Sequence, residues 1–198
     1  MKPLRLVFVT RRFWPLVGGE ATSLANLTAE LRQMGQKSSL VTAQWDHHWP
    51  TRVVCREVPV VRLAFPRHRP WGAMRYMIAL SRWLRDNADD CDLVCLSALG
   101  HESTAAISTL KKAGIPVVLR VGMSSIQEAK RISPAGLAQR LWHRGRLADL
   151  FIATDPQAQR ELLESGLESS RVRLIPHGVR TEITVNAAAR KLARIALA

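Results

Sequence analysis

The sequence has no apolar run long enough to cross a bilayer. Its first residues, MKPLRLVFVTRRFW, hold only a short apolar stretch, broken by Arg5 and stopped by Arg11 and Arg12, which is no signal-peptide core. Cysteine is scarce: Cys55, Cys91 and Cys95 are an odd number, and Cys91 and Cys95, four apart on an expected strand, stand too far from each other to bridge. A disulfide scaffold is thereby excluded and a reducing cytosol is the expected compartment. Internal repeats and low-complexity segments are missing. So are zinc-finger, RNP-like and basic-zipper patterns, which leaves a nucleic-acid-binding module as a minor alternative with no nucleic-acid partner expected. Acidic residues are few, with 16 Asp and Glu against 29 Lys and Arg, a formal charge of +13. Such an excess favours anionic partners, nucleotides or acidic lipid surfaces among them, and bears on association rather than fold.

Short β-branched runs do recur, at residues 4–10, 38–43, 60–65, 92–97, 116–121, 149–154 and 171–176, with helical patterns between most of them. The alternation predicts an α/β fold with a doubly wound, mainly parallel sheet and helices on both faces. A helix over about residues 20–34 would place Leu24, Leu27, Leu31 and Met34 on one stripe and stop at Gly35. Another would run from His101 to Ala113 and stop at Gly114, and a third would be capped by Asp155, open with Pro156 and close at Gly166. In doubly wound sheets ligands bind beyond the carboxyl ends of the strands. That rule selects the loops holding Gly18 and Gly19, Gly100 and His101, Gly122 to Ser125, Asp155, and His177 and Gly178.

The first of these loops has an unusual feature: FWPLVGGEATSLANL puts two glycines at the mouth of a helix with no Ser, Thr, Asp or Asn to cap it. Either the glycines merely form a strand-to-helix turn, or they let an anion approach amides left unpaired at the helix start. No GxGxxG fingerprint is present to decide the matter.

The FWPLVGGEATSLANLTAEL stretch near the N-terminus and DLFIATDPQAQRELLESGLESSRVRLIPHGV near the C-terminus together resemble the first domain of retaining, nucleotide-sugar-dependent glycosyltransferases of family 4, which have the GT-B fold. The resemblance covers almost the whole chain. It implies a Rossmann-like N-terminal domain over residues 1–185, the start of an interdomain linker or helix over 186–198, and an absent second, donor-binding domain. It implies transfer of a sugar, with retention of configuration, from a nucleotide sugar to a glycan, lipid-linked or small-molecule acceptor, by a hexosyltransferase-like enzyme that is inactive without its other half. The alternative is a noncatalytic acceptor-binding or partner subunit. No tightly bound cofactor is implied, the nucleotide sugar being a substrate.

On this resemblance Gly18 and Gly19 would approach the donor diphosphate, and Glu20, Arg120, Gly122, Ser124, Asp155 and His177 would touch acceptor or substrate. Glu20 can equally serve only the positive end of the helix. Family members often carry a histidine where Gly122 stands; His101 is the nearest substitute and the candidate catalytic residue, or else an ordinary polar residue at a helix start. His177 and Arg180 stand at the family's Asn and Asp positions. Arg120, Lys130 and Arg131 are cations available to a departing diphosphate or an anionic acceptor, or are solvated surface charges.

His47 and His48 lack companion ligands at metal-site spacing, and no metal is expected. Residues 67–85 mix Arg with Trp, Tyr and Met on a helical pattern. Core packing through Met74, Met77, Ile78 and Leu84 is one reading; a helix lying on the inner face of an anionic membrane is the other.

Overall fold

The computed structural model describes residues 2–64, 70–97, 100–123, 126, 143–178 and 194–195. Its centre is strand β1 (Arg5–Val9), flanked in parallel by β2 (Lys37–Gln44) and β5 (Leu93–Leu96), so that Phe8 lies opposite Leu40 on one side and Cys95 on the other. Beyond β2 come β4 (Val58–Ala64) and β3 (Arg52–Cys55); beyond β5 come β6 (Val117–Val121), β7 (Leu150–Ala153) and β8 (Val172–Leu174). The order β3-β4-β2-β1-β5-β6-β7-β8 is parallel throughout except for the β3–β4 pair. The expected doubly wound α/β sheet is therefore present.

The sheet separates two cores, because alternate residues of a strand face opposite sides. Leu6, Phe8, Leu40, Cys95 and Val118 face α1 (Gly19–Gln33), which inserts Leu24 among them. Val7, Val9, Val41, Val94, Leu96, Leu119 and Val121 face the other way. They share a core with Tyr76, Leu80 and Leu84 of α2 (Pro70–Asp86), Ile107 and Leu110 of α3 (His101–Lys112), and Ala158 and Leu162 of α4 (Pro156–Glu164). Gly35, Gly114 and Gly166 end α1, α3 and α4 with φ of 83°, 70° and 84°, in the left-handed region that favours glycine. At α4 the Asp155 carboxylate accepts from the Ala158 amide at 2.7 Å, and Pro156 follows it.

The structure adds to or departs from the sequence reading in three places. Strand β3 was not foreseen: it forms a hairpin with β4 through Arg56 and Glu57, whose φ of 50° and 64° are left-handed, and neither residue type signals such a turn. Met34 is not on the buried stripe of α1; it lies past the last helical turn and is exposed. Met74 and Ile78 are 41% and 54% exposed, since the inward stripe of α2 runs through Tyr76, Leu80 and Leu84 at four-residue spacing.

All three cysteines are free thiols; burial pushes Cys91 up to about 11 and Cys95 up to about 12. No helix of the described residues is long and apolar enough to cross a membrane. The expected helix of the tail lies outside the described residues except for residues 194–195.

Candidate active-site cleft

The chain winds outward from β1 in one direction and from β5 in the other, which places a topological switch point between these strands. A cleft of about 500 Å³ opens there. Its walls are the residues that follow the carboxyl ends of successive strands: Ser97 after β5, Gly122 after β6, Thr154 after β7, and His177 and Gly178 after β8. Across from them stand Gly19, Glu20, Thr22, Ser23 and Asn26 of α1.

No side chain among the described residues caps α1. Its N-cap, Gly18, has φ of −176° and ψ of 160°, extended backbone that any residue adopts, and Gly19 is already helical. A Cβ added to either glycine would meet no atom of the described residues within 4 Å. Neither backbone strain nor a neighbour among the described residues requires these glycines, although glycine is itself favoured at an N-cap.

The loop that leads to Gly18 is held by arginine and tryptophan. Arg62 of β4, almost fully buried, lies 5.8 Å from the Trp14 ring and 5.5 Å from the Trp49 ring, and donates to the carbonyls of Trp14 and Pro50. Burial lowers its pKa. Arg11 and Arg12 both lie over Trp45, whose indole N–H donates to the Arg11 carbonyl at 2.8 Å. These contacts join the loop after β1 to the loop after β2.

The polar centre of the cleft is Arg120. Only 7% exposed, it is no solvated surface charge. It projects from the α1 side of β6, and its Nη2 donates to Ser23 Oγ at 3.2 Å and to His177 Nδ1 at 2.9 Å. A guanidinium can only donate, so Nδ1 of His177 accepts and the imidazole carries its proton on Nε2. Ser23 Oγ, 2.6 Å from the same nitrogen, completes a three-membered cluster joining α1, β6 and the segment after β8. Partial burial and then Arg120 lower the His177 pKa, against an opposing pull from Asp155.

Of the residues expected at the site, Gly19, Glu20, Arg120, Gly122 and His177 line the cleft, and Gly18 adjoins it. Asp155 does not line it: its carboxylate oxygens accept from the amides of Ala158 and Met123, at 2.7 and 3.0 Å, tying β6 to α4. His101 opens α3, but its side chain lies outside what is described, and Ser124, Lys130, Arg131 and Arg180 lie outside the described residues altogether. Ser23, Asn26, Ser97, Thr154 and Thr22 were missed. A signal existed for the first two, because Gly19, Ser23 and Asn26 recur at helical spacing and give α1 a second, polar stripe.

At the far end of β2, His48 has a companion that sequence reading overlooked: its Nδ1 lies 3.0 Å from Asp46 Oδ1, and His47 Nδ1 lies 3.6 Å from the same oxygen. Both imidazoles are exposed.

The family model for Glycosyltransferase Family 4 matches residues 17–183, and the chain belongs to that family. No curated protein matches it. Its fold is that of one half of several solved structures. Sucrose-phosphate synthase from Thermosynechococcus elongatus superposes with a TM-score of 0.70 at 15% identity, over 98% of this chain and 53% of that one. Anabaena HepE, in complex with UDP and glucose, gives 0.63 at 15% identity, over 96% and 50%. A UDP-N-acetylglucosamine 2-epimerase gives 0.60 at 17%, over 87% and 48%. The chain thus spans about half the length of these neighbours. An epimerase among them means that the shared fold does not specify a reaction.

Proposed function

We propose that the chain is the acceptor-side half of a retaining glycosyltransferase that uses a nucleotide sugar. The observation that carries this reading is the uncapped start of α1, where Gly18 and Gly19 leave open space for a diphosphate beside a cleft at the switch point of the sheet. The HepE structures, solved with UDP and glucose and with UDP-glucose, support the donor class. In this reading the amides at the start of α1 contact the departing diphosphate. Arg120 and His177 act with Glu20 and Gly122 on the substrate, and His101 is the candidate sugar-facing histidine. As the bond from the sugar's anomeric carbon to the diphosphate breaks, the acceptor oxygen bonds to that carbon from the same face, and its proton passes to the leaving phosphate. Fixed N–H donors stabilise the charge that develops there.

Transfer also requires a donor-gripping domain of similar size, whether in the same polypeptide or in a partner chain. The test is calorimetric titration of this chain, alone and joined to such a domain, with a panel of nucleoside diphosphates and nucleotide sugars. Weak binding by the chain and firm binding by the joined form support the proposal; no binding by either refutes it.

We further propose that the outer face of α2 rests on an anionic membrane surface. Met74 and Ile78 are exposed there beside Arg75, Arg82 and Arg85, a combination of apolar and cationic side chains suited to the lipid boundary.

A further inference from the structure

Arg120 is a buried cation. It forms no ion pair among the described residues, and its two partners, Ser23 and His177, are neutral. Both are reached through Nη2, so the three N–H donors on Nη1 and Nε have no acceptor among the described residues. Burying a charge is costly unless hydrogen bonds and an opposite charge compensate it.

A second polar group in the same cleft is also unsatisfied. Ser97 is 4% exposed, and its Oγ is buried with no hydrogen-bond partner among the described residues. The register between β5 and β6 explains how it meets the arginine: Leu96 lies opposite Leu119, so the next step of the ladder sets Ser97 alongside Arg120. Cys95 and Val118, one pleat earlier on the two strands, face the α1 side, so Ser97 and Arg120 face that side too.

We propose that Arg120 and Ser97, with Ser23, form an anion subsite that takes a phosphate or carboxylate group of the acceptor, which makes the acceptor an anionic molecule. This inference rests on the transferase reading above. In that reading the donor's diphosphate is served by the amides of α1, whereas Ser23 stands four residues further along the helix, roughly 6 Å along its axis. The donors on the floor of the cleft are thus left for a second anion, and the acceptor is the substrate that remains to supply it. Arg120 matches such a group with several N–H donors, and Ser97 adds a hydroxyl donor from the neighbouring strand.

The test is calorimetric titration of the 198-residue chain with inorganic phosphate and glucose 6-phosphate, in the absence and presence of saturating UDP, with glucose as the neutral control. Glucose 6-phosphate should bind with UDP already present, and glucose should not. Ser97→Ala should weaken glucose 6-phosphate roughly 2- to 10-fold, and Arg120→Gln roughly 10- to 150-fold, the ranges for one neutral and one charged hydrogen bond. Ser97→Ala removes an unsatisfied hydroxyl, so its melting temperature should hold or rise; it serves as the readout if Arg120→Gln fails to fold. Competition between UDP and glucose 6-phosphate would overturn the proposal, because the subsite would then belong to the donor diphosphate. Unchanged glucose 6-phosphate affinity in Ser97→Ala would overturn it as well. Failure of the transferase reading is seen separately, as absence of UDP binding by both this chain and its two-domain form.

Discussion

Replacing Gly19 by alanine should move stability and binding in opposite directions. The residue is helical, and a Cβ there meets no atom of the described residues within 4 Å, so a methyl group fits without displacing them. A Gly→Ala change at a position that tolerates it stabilises by about 0.4–1 kcal/mol, chiefly by restricting the unfolded chain. At roughly 2–4 °C per kcal/mol for a domain of this size, the melting temperature should rise by about 1–4 °C. The same methyl occupies the space through which a phosphate would reach the first amides of α1. Loss of one charge-assisted hydrogen bond costs about 1.5–3 kcal/mol, or roughly 10- to 150-fold in affinity. Thermal unfolding and calorimetric titration with UDP, on the two-domain form if the single chain binds too weakly, give both quantities. A variant that binds UDP within twofold of the parent would refute the phosphate-approach argument and leave the two glycines unexplained. A variant that melts lower would show that the space above Gly19 is not open.

Three other variants probe different parts of the molecule. Asp155→Ala removes the α4 cap and strands the Met123 amide, and should cost about 2 kcal/mol, a fall of roughly 4–8 °C in melting temperature, while leaving UDP affinity of the surviving fold unchanged. His177 has a lowered folded pKa, so the unfolded chain binds its proton more readily, and its stabilising contribution is complete above about pH 6.5 and lost as pH falls through the folded value. The melting temperature of the parent should therefore drop more steeply from pH 7 to pH 5 than that of His177→Asn; parallel curves would remove His177 as the cause. Met74→Glu combined with Ile78→Glu should abolish sedimentation with vesicles containing anionic phospholipid, and added salt should weaken the parent's binding; vesicle binding unaffected by either would refute the membrane proposal.

The parts of the fold that were legible in the sequence are those fixed by local chemistry. Gly35, Gly114 and Gly166 mark helix ends because each occupies left-handed backbone, and Asp155 with Pro156 marks a helix start because cap and first turn demand those types. Strand β6 was readable as doubly buried, and all five of its positions are buried. Strand β3 was not readable, because the hairpin is closed by Arg56 and Glu57 in place of the glycine or asparagine that advertises such turns. The outward direction of Met74 and Ile78 was left undecided because α2 carries apolar residues at more positions than its inner stripe can hold, and only packing against α3 and β4 selects among them.

The cleft was half legible for a related reason. The rule that ligands lie beyond strand ends locates loops, and it led to Gly19, Gly122 and His177. It does not locate Arg120, which lies inside β6, although an arginine in the run VVLRV is itself a warning, since a fully buried strand position has no use for a charge that nothing compensates. Ser97 follows its strand and satisfied the rule, but a lone serine there carries no message until the register sets it beside that arginine. The polar stripe on α1 has the same logic. Gly19, Ser23 and Asn26 take surface that apolar residues would use to hold the helix on the sheet, so α1 fully buries only Leu24, Thr28 and Ala29. Packing has been given up along one line of one helix, directly opposite a buried cation and an unsatisfied hydroxyl. These three departures from ordinary core chemistry converge on a single cleft, which is the pattern of a site kept for a ligand and not of a poorly packed interior.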